Sequence, residues 1–377
     1  MSSVYAVSSG DSEPCYRFRV GVDLKRDSVD ADYLLITHGD FIDASMELAR
    51  YRESRGLSVF VADVEDVYDV FSWGYPSPVG IRDFISYCYS GGDLSFVLLM
   101  GDATADTKGY YDGDRNFVPT KFVATDSGYN ASDAWYSFVG GDDLFAAVSV
   151  GRLPVKTAEG AIAVVQKIIA YEEYSVAGEW RDSAVFVSDR DFIGMEQDLL
   201  MGLLPSRIEV MSVIASPSNR SVLTDYWNDG LSFVHFTGHG AHNIWGSSRS
   251  PNNPVFRKVD AAGLSNSPRL PFVLVSNCLS GAFALPSFGG DRDSIGEVML
   301  ENPYGGAIGV YSSSGLTMPM GQLRMHGYVF SRYSAGERRM GILTRDSLRY
   351  LYGIGGAYNA PIIRTWVLLG CPATELK

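Results

Sequence analysis

His239 and Cys278 are the two side chains of this sequence best suited to act together. The first lies in residues 231–246 (LSFVHFTGHGAHNIWG), the second in residues 271–281 (PFVLVSNCLSG). A cysteine is a nucleophile as its thiolate, and a nearby imidazole favours that form and can carry a proton. His239 stands between two glycines, which let the backbone turn sharply and let a substrate come close. Acyl transfer also needs donors aimed at a developing oxyanion. The backbone N–H groups of Gly240 and Cys278 are the candidates.

Both side chains follow apolar runs that read as buried strands. Residues 233–236 (FVHF) break into Thr237-Gly238-His239-Gly240, and residues 272–276 (FVLVS) end in Asn277-Cys278. In an open parallel sheet the carboxyl ends of the strands are where ligands bind. A Cys and a His delivered to neighbouring strand ends make a nucleophile–base pair. The plain alternative is a small buried cysteine and a structural histidine; the pairing and the adjacent glycines favour the chemical reading.

Other chemistries fit less well. His235, His239 and His242 are spaced as zinc ligands on a helix would be, but this run is a strand and a turn. His235 and His239 would then lie about 13 Å apart. No G-x-S-x-G elbow is present for a serine nucleophile. Residues 102–138, rich in Asp, Gly, Tyr and Asn, read as a long loop carrying Asp102, Asp106, Asp112, Asp114, Asp126 and Asp133. Long loops tend to be functional, and clustered carboxylates can hold calcium. Asp102, Asp106 and Asp133 are the expected ligands of a structural calcium ion, against the alternative of a solvated loop.

Composition bounds the rest. The chain has 377 residues and a formal charge of −13. An acidic surface repels phosphate backbones, so nucleic acid is not an expected partner. No apolar run is long enough to span a membrane. The first residues have no positively charged start and no continuous apolar stretch, so no signal peptide is visible; a cytoplasmic protein and a mature or trimmed chain both fit. Cys15, Cys88, Cys278 and Cys371 are far apart, which supports neither a zinc ribbon nor a disulfide scaffold.

From residue 32 the chain alternates strand and helix. Strands are expected at 33–37, 57–62, 96–100 and 146–151, and helices at 41–55, 79–89 and 157–174, with Thr157 as a cap. A charged stretch at 172–182 marks the expected boundary. Residues 1–31 read as a lead-in, 32–177 as a first α/β subdomain and 178–377 as a second. In the second, strands are expected at 184–188, 209–214, 233–236, 272–276 and 307–311. Helices are expected at 195–204, 219–229 (capped by Asn219), 295–301, 322–333 and 341–352, with a last apolar segment at 365–369. The alternation predicts a mostly parallel sheet covered by helices.

At these residues the chain resembles the gingipain-type cysteine peptidases, family C25 of the caspase-like clan. Phe236–Gly240 with Trp245 resembles the family's catalytic-histidine motif, and the strand into Asn277-Cys278 and Gly281 its catalytic-cysteine motif. LLMGD (98–102), Val118-Pro119-Thr120, Ser132-Asp133, Gly141-Asp142-Asp143, GRLPV (151–155), KIIAYEE (167–173) and Gly305-Gly306-Ala307-Ile308 are similar to further landmarks. The resemblance implies a caspase-like three-layer α/β/α sandwich, mostly parallel, with two side-by-side subdomains and the catalytic residues in the second. It implies a cysteine endopeptidase with Cys278 as nucleophile and His239 as general acid/base. The substrate would be a protein or peptide, and the chemistry would need no cofactor. An acidic residue supporting the histidine would fall in residues 188–191, with Asp189 favoured over Asp191. Trp245, Ser313 and Met318 are the expected substrate-binding residues, with residues 312–320 as a pocket wall that Met318 and Met320 line. Many relatives are secreted, and the family's best-known members cleave after Arg or Lys through an acidic pocket residue. No counterpart of that residue is placed here, and Gly370-Cys371-Pro372 stands where relatives usually have Gly-Asp-Pro. A transpeptidase using the same pair, and a non-catalytic binding module whose mark would be a buried Cys278, are the competing readings.

Overall fold

Runs such as YLLIT, FVLLM and FVLVS are buried along their whole length. A strand buried on both faces needs helices on both sides, which only a central sheet provides. The computed structural model describes residues 23–28, 30–110, 115–141, 144–174, 177–193, 200–246, 253–285 and 292–377. Its strands, in chain order, are β1 (Tyr33–Thr37), β2 (Val59–Asp63), β3 (Phe96–Met100), β4 (Lys121–Thr125), β5 (Gly128–Ser132), β6 (Ser149–Leu153), β7 (Ser183–Ser188), β8 (Glu209–Ile214), β9 (Phe233–Thr237), β10 (Gly240–Ala241), β11 (Ile244–Trp245), β12 (Phe256–Arg257), β13 (Phe272–Ser276), β14 (Gly309–Ser313) and β15 (Trp366–Leu369).

Ten of these strands make one sheet, in the order β2-β1-β3-β6-β15-β14-β13-β9-β7-β8. Its pairings are parallel except β14 with β15, which is antiparallel. The sheet is therefore two parallel halves running in opposite directions. Residue 178 falls between β6 and β7, and the sheet is continuous across that point of the chain. The last strand, β15, returns to pair with β6 of the first half. Helices Ile42–Ser54, Pro78–Gly91, Ala158–Tyr174, Arg220–Asp229 and Ile295–Glu301 make crossovers between strands. Their starts are specified locally. Ser77 accepts hydrogen bonds from Val79 and Gly80 ahead of Pro78, and Ser294 with Glu297 closes a capping box.

Several expectations shift. Residues 102–138 contain an antiparallel hairpin, β4–β5, and are not all loop. A helix at Val64–Phe71, capped by Asp63, had no expected counterpart. Asn219 does not cap its helix; its side chain donates to Ile214 O (2.9 Å) instead. The strand expected at 146–151 runs from Ser149 to Leu153. Most of the lead-in, the start of the helix expected at 195–204, Asp112, Asp114, Asp142 and Asp143 lie outside the described residues.

Buried charges tie the layers together. Lys167 reaches the carboxyl end of helix Ile295–Glu301 and its exit, donating to the carbonyls of Leu300 (2.8 Å), Asn302 (2.9 Å) and Gly305 (2.6 Å). Those carbonyls have no helical partner, so the ammonium supplies one. Lys167→Met is expected to lower unfolding stability by about 2 kcal/mol or more, read from a urea midpoint.

Behind β9 and β13 lies a buried imidazole pair. His235 Nε2 sits 3.1 Å from His326 Nδ1, and Ser276 Oγ is 2.9 Å from the same nitrogen. Phe186, Phe330, Tyr311 and Trp366 surround them. Burial pushes His235 down to about 3 and His326 well below its usual value. Unfolded histidines take up protons near pH 6.5. The folded state keeps these two neutral, so their contribution to stability is intact above that pH and is lost as the pH falls from about 6.5 toward 3. The melting temperature is expected to drop over this window, and His326→Gln to reduce the slope.

Candidate active site

The site is built by strand register. Ser276 of β13 is level with Thr237 of β9, which is level with Ser188 of β7. Two residues beyond that row, the chain carries Cys278 on one strand end and His239 on the next. Neighbouring strands lie about 4.8 Å apart, so the segments that carry these residues leave the same edge of the sheet side by side. One residue beyond the row stand Asn277, Gly238 and Asp189. Gly238 N donates to Ser276 O (3.1 Å) and Asp189 N to Thr237 O (2.8 Å), extending the ladder past the strands.

Each glycine here answers a close approach. A Cβ on Gly238 would lie 2.9 Å from the Cβ of Asp189. A Cβ on Gly240 would lie 2.0 Å from Asn277 Nδ2 and 2.7 Å from its Cγ. The histidine loop can therefore pack against the cysteine loop only if residue 240 has no side chain. The phase of the small sheet also orients Gly240. Gly246 N donates to His239 O (2.8 Å), and Gly240 is the next rung, level with Trp245. Ladder bonds alternate in an antiparallel pair, so the Gly240 N–H points away from β11.

Cys278 is half-buried and His239 exposed. Among the described cysteines, Cys88 and Cys371 are buried. Burial pushes Cys88 up to about 11. The Cys371 thiol packs against Tyr33 Oη (3.4 Å) and Arg52 Nη2 (3.3 Å) in the core, far along the sheet from the site. The thiol of Cys278 lies 3.8 Å from Thr317 O. Gln322 holds that loop, donating to Thr317 Oγ1 (2.7 Å) and to Asn277 O (3.5 Å). Leu279 takes a left-handed conformation (φ 68°), uncommon for a branched side chain, so the chain turns sharply just after the nucleophile. The His239 ring meets Phe192 edge-on at 5.4 Å. Asp189 is fully buried beneath Gly238.

Some expected residues are not at the surface of the site. Trp245 is fully buried, stacked on Phe236 (4.8 Å) and packed on Phe256 (5.0 Å). It supports the histidine loop from behind and offers no face to a substrate. Ser313 is also fully buried, its hydroxyl bonded to Gly315 O (3.0 Å) and close to Thr365 Oγ1 (3.2 Å). Met318 is exposed, and so are Leu316 and Met320, two residues to either side of it. Sequence reasoning passed over Asn277, Thr317, Gln322, Phe192 and Ile193. A strand end brings Asn277 in, but its packing on Gly240 is a contact between distant segments that no local pattern carries.

The expected calcium ligands do not form a site. Arg152 takes both carboxylate oxygens of Asp133 (2.6 and 2.9 Å). Asp102 is buried against Arg292 (3.1 Å) and Lys156 (3.8 Å). Asp106 is buried, and its backbone N–H donates to Thr104 Oγ1 (3.1 Å). Among the described residues no group of three or more His, Cys, Asp or Glu side chains is placed to hold a metal ion. Cations of the chain itself neutralise two of these carboxylates.

The peptidase family C25 model matches residues 26–377. Gingipain R2 of Porphyromonas gingivalis is 23% identical over 365 residues, covering 90% of this chain and 44% of that protein. Gingipain R1 of the same organism is 23% identical, with 90% and 32% covered. The chain thus spans less than half the length of these curated relatives. Among solved structures, the Arg-specific cysteine proteinase gingipain R superposes with a TM-score of 0.75 at 19% identity, covering 95% of this chain and 80% of that one. The complex of the P. gingivalis RgpB pro- and mature domains gives 0.75 at 18% identity, with 92% and 79% covered. The fold is that of the gingipains and their caspase-like relatives. With the family pattern matched along nearly its whole length, the chain belongs to peptidase family C25.

Proposed function

We propose that this protein is a cysteine endopeptidase in which Cys278 is the nucleophile and His239 the general acid and base. The observation that carries the reading is the shared register: both side chains stand two residues beyond the level pair Ser276 and Thr237, on adjacent strands. A half-buried thiol and an exposed imidazole are accessible to a peptide.

In the first step His239 takes the proton of the Cys278 thiol and the sulfur attacks the scissile carbonyl. The C–S bond forms, the carbonyl electrons move onto oxygen, and the N–H groups of Cys278 and Gly240 receive that oxyanion. As the intermediate collapses the C–N bond breaks, and His239 gives its proton to the departing amine. Water then attacks the thioester while His239 takes a proton from it. The acid leaves and the thiol is restored. Asp189, packed under Gly238, keeps the histidine loop at its height. No metal or cofactor enters these steps.

Cys278→Ala is expected to abolish hydrolysis of denatured casein, and His239→Ala to lower kcat/KM by at least about 1,000-fold. Both variants should retain the wild-type melting temperature to within a few degrees, since neither side chain is in the core. Asp189→Asn should lower kcat by about 10- to 100-fold with little change in KM. Activity remaining in Cys278→Ala contradicts the assignment.

Gly240→Ala tests the packing of the two loops. The added methyl group lands on Asn277. Peptide hydrolysis is expected to fall by at least about 100-fold, the scale of losing an oxyanion donor. Asn277→Ala in the same chain should recover part of that loss, because it empties the contested space. Wild-type activity in Gly240→Ala contradicts the assignment.

A further inference from the structure

The sheet order that brings Cys278 and His239 together also fixes what stands on either side of them. β14, β13, β9 and β7 are consecutive in the sheet and mutually parallel. The segments leaving their carboxyl ends therefore stand in the same order along one edge. Cys278 and His239 occupy the middle. The segment after β14 forms one wall and the segment after β7 the other.

Both walls present apolar side chains to solvent. Beyond β14, Leu316, Met318 and Met320 are 49%, 59% and 50% exposed. Residues 314–322 (SGLTMPMGQ) carry no charge. Beyond β7, Phe192 lies edge-on to the His239 ring and Ile193 is 42% exposed. The charged residues described on these walls are Arg190 and Asp191, exposed and of opposite sign, and Asp189, which is buried. Large exposed apolar side chains gathered at one place mark a binding surface. Here they rim the reacting pair on both flanks. The residue whose carbonyl is attacked carries its side chain on the carbon next to that carbonyl. That side chain must fall on the wall nearest the thiol. The wall is identified by Thr317 O, 3.8 Å from Cys278 Sγ, between Leu316 and Met318.

We infer that this cleft selects an uncharged apolar side chain, such as leucine, methionine or phenylalanine, at the residue whose carbonyl Cys278 attacks. The gingipain R of known structure is described as Arg-specific. An arginine placed against Leu316 and Met318 would surrender water from its guanidinium without an acidic partner from those side chains. An apolar side chain gains from the same burial. The inference rests on Cys278 as nucleophile for its biological meaning, but the preference itself is a property of the walls.

The test separates the two. Peptides of one sequence ending in Leu, Met, Phe, Arg, Lys or Asp are titrated into Cys278→Ala protein by calorimetry, and Kd is read. The apolar endings are expected to bind at least about 10-fold tighter than Arg, Lys and Asp, the scale of one well-matched apolar contact. Leu316→Asp should narrow or reverse the gap between Leu and Arg, and Met318→Lys should weaken Leu binding while improving Asp. Equal binding of all endings, or tighter binding of Arg or Lys, overturns the inference. Wild-type protein is treated in parallel with a leucyl acyloxymethyl ketone. Apolar binding without thiol labelling would retire Cys278 as nucleophile and leave the apolar preference standing.

Discussion

Everything at the site depends on one row of backbone pairings. Ser188, Thr237 and Ser276 are level across three parallel strands. Parallel ladders are evenly spaced and buried on both faces, so a one-residue slip would send every side chain of the strand into the wrong layer. The runs FVHFT and FVLVS cannot slip, because helices cover both faces of the sheet. This rigidity carries Cys278 and His239 to equal height. Side-chain contacts add to the anchoring of the loops: Asn277 on Gly240, Gln322 on Thr317, and Gly238 over Asp189.

Charge does structural work in an acidic protein. Arg152 is wholly buried, holds Asp133 with two hydrogen bonds, and also donates to Gly101 O (2.6 Å) and Val118 O (2.8 Å). Lys156 lies among Asp102, Asp293, Glu297 and Glu301, between the first half of the sheet and the helix Ile295–Glu301. Burial lifts Glu301 to about 7. Arg52 closes a third such contact with Glu172 (2.7 Å). Losing one partner of such a pair leaves a charge buried alone, which costs about 3–5 kcal/mol. These pairs join segments 19 to 145 residues apart in the chain, so Asp102 and Asp133 meet cations that their own sequence neighbourhood does not display.

Much of the architecture is legible from local pattern. The strands at Phe96–Met100, Glu209–Ile214 and Phe272–Ser276 and the helix Ile295–Glu301 begin and end where periodicity and caps put them. The histidine and cysteine loops are legible too, because glycines and a strand end are local signals. What is not legible is set by distant contacts. Trp245 follows the histidine loop and reads as a substrate residue, yet three aromatic neighbours, Phe236, Trp227 and Phe256, draw it into the core. Ser313 reads as pocket wall, yet its hydroxyl is used to turn Gly315. Phe192 and Ile193 gain meaning only from the neighbourhood of β7 and β9, which the sheet order creates and the sequence alone does not display.

The central claim is that Cys278 and His239 act as one reacting unit. Acid-quenched intact-mass analysis during turnover of a peptide ester tests it most directly. The account predicts a protein heavier by one acyl group, with the added mass on the peptide containing Cys278. It also predicts that the adduct forms far more slowly in His239→Ala and is absent in Cys278→Ala. Turnover with no adduct, or an adduct whose rate of formation ignores His239, would contradict it.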